Sequence, residues 1–185
     1  MTSENSYESK ALTPEQEVLL AEFARRTWSA FLEEFDTYSD EGRRKDALSR
    51  AAKAAYFLGD TPRAQKLAEE SLSVADGLKG TWSYGNAIHD ANLVLGLIAL
   101  DDSEVENAES YLLAAGATPG SPHLNSFGPN TTLAKRLLDI GRAATVLRYL
   151  EACVAFWEGG RLNLENWPVL IRDGRSPNLM ANMYY

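Results

Sequence analysis

Apolar residues recur at three- and four-residue steps along most of this chain, and short runs rich in Gly, Pro, Asp and Ser interrupt them at intervals. The first such stretch carries Leu20, Phe23, Phe31 and Phe35 on one side of a helix. No stretch shows the alternation of polar and apolar residues with a period of two that is typical of β-strands. The sequence therefore predicts an all-α fold of about seven or eight helices.

Capping and breaking residues give the predicted limits of the helices. Thr13 and Gln16 form a capping box around a proline at the first helical position, and Ser103 with Glu106 repeats that box at a later start. The predicted helices cover residues 13–38, 41–58, 61–78, 84–100, 103–116, 130–141, 142–157 and 164–172. Three prolines and three glycines within 116–130 predict one long loop there, because such a segment cannot be a single regular element.

The length of 185 residues is that of one domain. We expect the polar residues 1–12 to be a disordered N-terminal tail and residues 13–185 to form a single helical-repeat domain. Its helices are predicted to pair into antiparallel hairpins over 43–78, 84–116 and 130–158, with residues 159–185 as a C-terminal extension.

Aligning the turns that follow the second, fourth and sixth predicted helices reveals a repeat. Each turn is followed, at the same three distances, by small or apolar residues that let antiparallel helices approach and fill the seam between hairpins. Since one hairpin cannot bury its apolar face alone, we predict that the hairpins stack. The matching positions are Gly59 with Ala64, Ala68 and Ser71, Ser103 with Ala108, Leu112 and Ala115, and Gly141 with Val146, Leu150 and Cys153.

The second copy resembles the tetratricopeptide repeat family. The early tryptophan of that family is absent, and the copies are longer than its repeat of about 34 residues. The resemblance implies a stack of tetratricopeptide-like hairpins with lengthened helices. Separately, residues 85–157 look like a group of bacterial proteins known only as uncharacterised, which implies no activity. The residues that carry the first resemblance are Leu95, Gly96 and Ala99 before the turn, and Ala108, Leu112, Ala115 and Pro119 after it.

The formal net charge of −8 is unfavourable for a protein that binds phosphate backbones. The longest apolar run, residues 93–100, is far short of the ~20 residues that span a bilayer, and the first ten residues lack the apolar stretch of a signal peptide. We therefore predict a cytoplasmic protein that binds neither nucleic acid nor membranes. The basic cluster of Arg43, Arg44, Lys45, Arg50 and Lys53 is interpreted as a solvated helix face, with a phosphate-binding track as the alternative.

Residue types that support catalysis or metal binding are scarce. The chain has one cysteine and two histidines, without the spacing of a zinc site, a nucleotide-binding loop or a nucleophile elbow. Cys153 lies on an apolar stripe, which predicts a buried small side chain rather than a reactive thiolate. The sequence thus predicts no catalytic residues, no metal ligands and no cofactor.

The family resemblance also implies a curved groove lined by the first helix of each hairpin. Leu93 and Leu97 fall in this register, although their apolar side chains fit a core equally well. The residues that this register directs to the groove are Ser49 and Lys53 from the first hairpin and Asp90, Leu93, Leu97 and Asp101 from the second.

The long loop supplies further candidates for partner binding, namely His123, Asn125 and Phe127. Loops of this length inside helical domains are often functional. The alternative is structural: the loop plugs the seam between the second and third hairpins, and Asn130 is simply a helix cap.

The predicted function is that of a non-catalytic scaffold or adaptor that binds a protein or peptide, which the net charge of −8 predicts to be basic or neutral. Two alternatives stay open. One is an inhibitor or immunity-type protein that neutralises a basic partner, and the other is a small enzyme with its site near the 116–130 loop. A pocket that joins His89 and His123 would favour the enzyme.

Overall fold

The computed structural model describes residues 13–179 and 182–183 of the chain. These residues form nine α-helices and two short 3₁₀-helices, with no strand among them. The prediction of an all-α fold is confirmed. The predicted disordered tail, residues 1–12, lies outside the described residues.

The first two helices, α1 (Pro14–Asp36) and α2 (Glu41–Phe57), begin where their capping residues indicate. At α1, the backbone N–H of Thr13 donates to the Gln16 side chain at 2.9 Å, and the backbone N–H of Gln16 donates to the Thr13 hydroxyl at 3.3 Å. The predicted capping box is therefore confirmed.

A row of cation–π contacts joins α1 to α2. From one pair to the next, cations closer to the end of α2 lie over rings closer to the start of α1, as expected for antiparallel helices. The interpretation of the basic cluster as a solvated face holds for Arg43 and Arg50, which are exposed, and is wrong for Lys53, which is buried. Four of the five cations also cover aromatic rings with their planar or alkyl parts. The pairs are Arg43 with Tyr38 at 4.0 Å, Arg44 with Phe35 at 4.5 Å, Arg50 with Phe31 at 4.2 Å and Lys53 with Trp28 at 5.8 Å.

Three further helices follow: α3 (Thr61–Val74), α4 (Tyr84–Asp101) and α5 (Val105–Gly116). The capping box predicted for Ser103 and Glu106 is not formed. Ser103 has a φ of +64° and Glu104 takes the N-cap position without a side-chain bond, because the α4–α5 turn closes through a left-handed residue.

The loop predicted over 116–130 contains a short helix, α6 (Pro122–Phe127), capped by Ser121. The Thr118 hydroxyl donates to the carbonyl of Gly85 at 2.8 Å, which fixes the loop against the start of α4. The segment is therefore packed against the domain rather than irregular throughout.

The last helices are α7 (Thr132–Asp139), α8 (Ala143–Cys153) and α9 (Arg161–Arg172). α8 ends at Cys153, four residues before the predicted end at 157, because the chain tightens into turns there: the backbone N–H groups of residues 154, 155 and 156 each donate to the carbonyl three residues back. α9 starts before the predicted residue 164, which places Pro168 inside the helix rather than in its first turn.

Residues near the C-terminus hold the far end of the 116–130 loop. The Asn182 amide donates to the carbonyls of Phe127 and Pro129 at 3.0 and 3.3 Å, and the Thr131 N–H donates to the Asn182 carbonyl at 2.9 Å. Asn130 was predicted to cap α7, but Thr131 takes the N-cap position. Asn130 lies one residue earlier, and its side-chain oxygen accepts a hydrogen bond from the Thr132 backbone N–H at 2.9 Å.

Helices that follow one another through short turns pack most extensively, α2 with α3 and α4 with α5. α4 also packs on α2 and α3, and α5 packs on α7 and α8, so the pairs stack in chain order. The small residues at the predicted seam positions are buried, among them Ala64, Ala68, Ala108 and Ala115. The stack is compatible with a helical repeat. Among the described residues, no helix has the combined length and hydropathy to cross a membrane.

Candidate functional site

A groove of about 660 Å³ opens between α1, α2, α4 and α6. One wall is mostly apolar and comes from α1, whereas α2 and α4 supply a polar floor and α6 contributes one histidine to the rim. The groove is lined by Leu20, Phe23, Ala24, Thr27, Trp28, Phe31, Tyr38, Arg43, Asp46, Ala47, Ser49, Arg50, Lys53, Asn86, Asp90 and His123.

A buried ion pair forms the centre of the floor. Lys53 Nζ lies 2.9 Å from Asp90 Oδ2, and the two side chains are only 6% and 12% exposed. Burial alone would raise the pKa of Asp90, but the Lys53 ammonium and a hydrogen bond with His89 outweigh it and hold that pKa well below the usual range. Asp90 is therefore a carboxylate at neutral pH.

The pair continues into the core of the molecule. His89 Nδ1 lies 3.0 Å from Asp90 Oδ1, and His89 Nε2 lies 3.2 Å from the Tyr149 hydroxyl on α8. His89 and Tyr149 are fully buried and do not line the groove. This groove therefore contains His123 without His89 and does not join the two histidines.

Several groups on the floor keep unused hydrogen-bonding capacity. Ser49 is 3% exposed, and its hydroxyl makes no hydrogen bond to another described residue. Lys53 donates one hydrogen bond, to Asp90, out of three N–H donors. Asn86 accepts from the Ser121 hydroxyl at 2.7 Å through Oδ1, which leaves its NH₂ group for another acceptor. The floor can therefore donate hydrogen bonds to carbonyl or carboxylate oxygens.

His123 lies at the rim of the groove, and its ring centroid is 5.1 Å from that of Phe127. Partial burial, followed by the positive charge of Lys53, lowers the pKa of His123. The imidazole is therefore mostly neutral at neutral pH and able both to donate and to accept. The Phe127 side chain is 64% exposed although its carbonyl accepts a hydrogen bond from Asn182, whereas the Leu124 side chain is buried and provides the apolar anchor of the loop.

The other predicted site residues lie elsewhere. Leu93 and Leu97 were predicted to line the groove, with burial in the core as the alternative. Both are buried in the core, so the groove prediction is wrong for these two residues. The reason is that α4 is covered on nearly all sides, which leaves no free face for them. Asn125 is half-buried on α6 and does not line the groove.

Asp101 belongs to a polar cluster that joins three helices. Its carboxylate accepts from the Tyr56 hydroxyl at 2.8 Å and from Arg136 at 2.7 Å, and Arg136 also donates to the Tyr56 hydroxyl at 3.0 Å. Burial and the hydrogen bond to Asp101 raise the pKa of Tyr56 to about 12. Asp101 therefore ties α4 to α2 and α7 and is not part of the groove.

Within the part of the chain that the structure describes, no group of three or more His, Cys, Asp or Glu side chains is placed to hold a metal ion. Cys153 is buried, as predicted, and burial raises the pKa of its thiol to about 12. The thiol is protonated at neutral pH, as expected for a packing residue.

α1 supplies the apolar wall, and this contribution was not predicted from the sequence. The signal was present in the spacing of Leu20, Phe23 and Phe31, but those residues precede the repeat and were assigned to no hairpin. Only the packing of α1 on α2 shows that their stripe faces Asp90 and His123.

Comparisons with known protein families, with curated proteins and with solved structures give no match to this chain.

Proposed function

We propose that this chain is a non-catalytic binding module of tetratricopeptide-like type, and that the groove between α1, α2 and α4 holds a segment of a protein or peptide partner. The observation that carries the proposal is the convergence of Ser49, Lys53, Asp90 and His123, all expected from the sequence to meet a partner, on one groove with an apolar opposite wall. Apolar walls with a few placed polar groups are typical of binding sites. The stacking of α2–α3 on α4–α5 supports the tetratricopeptide-like part of the proposal.

The two sides of the groove suit different parts of a peptide. The apolar wall, with Leu20, Phe23 and Trp28, takes one or two apolar side chains, which supply most of the binding free energy. The Ser49 hydroxyl and the spare N–H donors of Lys53 and Asn86 bond carbonyl oxygens, which fixes the orientation of the segment.

Charge acts at two ranges. Inside the groove, Lys53 is neutralised by Asp90, and Arg43 by Glu34 at 2.7 Å, so local contacts are close to neutral. At long range the net charge of −8 attracts a basic partner and raises its association rate at low salt, whereas it neither attracts nor repels a neutral partner.

The test places a photo-crosslinking amino acid at Thr27, which is exposed on the groove wall, and in a second protein at Val154, which is 64% exposed outside the groove. We expect Thr27 to yield an adduct with a specific protein that Val154 does not yield. Filling the groove with Ala24→Trp should abolish that adduct, because Ala24 lines the same wall. Equal adducts at both positions, no adduct at Thr27, or an adduct that survives Ala24→Trp would contradict the proposal.

A further inference from the structure

Two charged side chains that line the groove are not neutralised within the described chain. Asp46 and Arg50 are both exposed, and neither forms an ion pair with another described residue. They lie four residues apart on α2, a spacing at which Glu41 and Lys45 of the same helix do pair, at 2.5 Å. Since the other two cations of the groove are already paired, a partner meets one unpaired anion and one unpaired cation there.

Arg50 points toward α1 rather than toward Asp46. The central carbon of its guanidinium lies 4.2 Å from the centroid of the Phe31 ring. A guanidinium stacked on a ring keeps its N–H edge available, and that edge matches a carboxylate through two parallel hydrogen bonds. Arg50 is therefore suited to an acidic side chain of a partner, whereas Asp46 attracts a basic one.

The groups that line the groove follow one another in a fixed order. α1 and α2 are antiparallel, so the start of α2 lies beside the end of α1, and the groove runs from a Tyr38 end to a Leu20 end. Asp46 precedes Arg50 on α2 and is therefore closer to the Tyr38 end. From that end the groove presents an anion, a cation, a neutral polar floor and then an apolar wall.

A bound segment must be extended to use the polar floor. The Ser49 hydroxyl and the spare N–H donors of Lys53 and Asn86 require acceptors. A helix uses most of its backbone carbonyls in its own hydrogen bonds, whereas an extended segment keeps them available. The floor therefore favours an extended segment of the partner over a helical one.

The positions of the lining groups give the spacing of such a segment. Asp46 and Arg50 are one turn apart, about 6 Å along the helix axis, which equals about two residues of extended chain. Phe23 precedes Phe31, the ring that Arg50 covers, by about 12 Å along α1, which equals about three to four extended residues. The two charges and the apolar contact are therefore close enough to be met by one short segment.

We infer, on the basis of the proposed peptide-binding function, that the groove selects an extended partner segment with three specified positions. A basic residue meets Asp46, and an acidic residue about two positions along meets Arg50. An apolar residue about three to four positions further meets Phe23 and Ala24. The spacing is the same for either direction of the partner chain.

Selection of displayed random peptides on the immobilised full chain tests the inference. Peptides that also bind Ala24→Trp, whose groove is filled, are removed first. We expect the remaining peptides to share the three positions at the stated spacing. Remaining peptides without the acidic position, or no remaining peptide, would overturn the inference. The adduct at Thr27 tests the proposed function separately, so the two failures are distinguishable.

A charge reversal tests the role of Arg50 with one selected peptide. Arg50→Glu should raise the Kd measured by fluorescence anisotropy about tenfold, because like charges then meet. Replacing the acidic residue of the peptide with Lys should restore binding to this variant. Arg25→Glu is the matched control, since Arg25 is exposed on α1 outside the groove and the change in net charge is the same. Equal effects of the two variants, or no rescue by the Lys peptide, would overturn the inference.

Discussion

Among the described residues that line the groove, Asp90 is the one buried carboxylate, and Lys53 neutralises it. Its ammonium is 2.9 Å from Asp90, on an adjacent helix, and lies over the ring of Trp28 on a third. A buried charge that loses its partner costs far more free energy than an exposed one, because water cannot replace the lost interaction. Lys53 is therefore important for stability as well as for the polarity of the groove.

We expect Lys53→Met to lower the free energy of unfolding by about 3–5 kcal/mol, because it leaves the Asp90 carboxylate buried without its cation. Lys53→Met/Asp90→Asn should be less destabilised than Lys53→Met, since no uncompensated charge remains. Urea denaturation measures both. The matched control is Lys45→Met on the same helix, whose pair with Glu41 is exposed and whose loss should cost no more than about 1 kcal/mol. Equal losses at positions 45 and 53 would contradict this account.

At the scale of elements, the start of α4 and the 116–130 loop touch through their backbones. A Cβ on Gly85 would lie 1.8 Å from the carbonyl oxygen of Gly120, a contact that no side-chain rotation can relieve. The same loop carries α6 and His123, so the contact also sets the rim of the groove.

Gly85→Ala is expected to lower the free energy of unfolding by about 1–3 kcal/mol, because the loop must shift to admit the methyl group. Amide hydrogen exchange should increase in residues 117–128. Gly77→Ala provides the control, since a Cβ there meets no atom within 4 Å, and its effect should lie between none and a gain of about 1 kcal/mol. A neutral Gly85→Ala would show that this contact does not hold the loop.

At the scale of the whole molecule, α4 connects two hydrophobic cores. Leu93 and Leu97 belong to the core shared with α5, α7, α8 and α9, whereas Val94 and Ile98 belong to the core shared with α1, α2 and α3. Since one rigid helix supplies side chains to both, we expect the two cores to unfold together.

Leu97→Ala should lower the free energy of unfolding by about 2–5 kcal/mol through the cavity that it leaves. Amide exchange in α2 and in α8 should respond equally, even though Leu97 contacts only one of the two cores. Val94→Ala is the complementary substitution on the other side of α4. Separate urea midpoints for α2 and α8 would contradict the single cooperative unit, and a Leu97→Ala protein of unchanged stability would contradict the core placement of Leu97.

The capping signals show how far local sequence reaches. The Thr13 box was predicted correctly because its hydrogen bonds join residues three apart, whereas the Ser103 box was not formed because the turn between α4 and α5 depends on how those helices pack. Ser49, Lys53, Asp90 and His123 were predicted as candidates from register and loop position. Their common groove was not predicted, because α1 had been left outside the repeat.

The sequence by itself determined that this chain is helical and roughly where most helices begin and end. The information lies in the spacing of the apolar residues and in the glycine, proline and capping residues between them. These local signals suffice because helical hydrogen bonds and caps join near neighbours along the chain. Only the tertiary structure decided which side of each helix faces a core and which aromatic rings the cations of α2 cover. It also decided that Asp101 joins helices, whereas Asp90 lines a groove. Those outcomes depend on contacts between residues far apart in sequence, and several partners of similar chemistry compete for each contact until the helices pack.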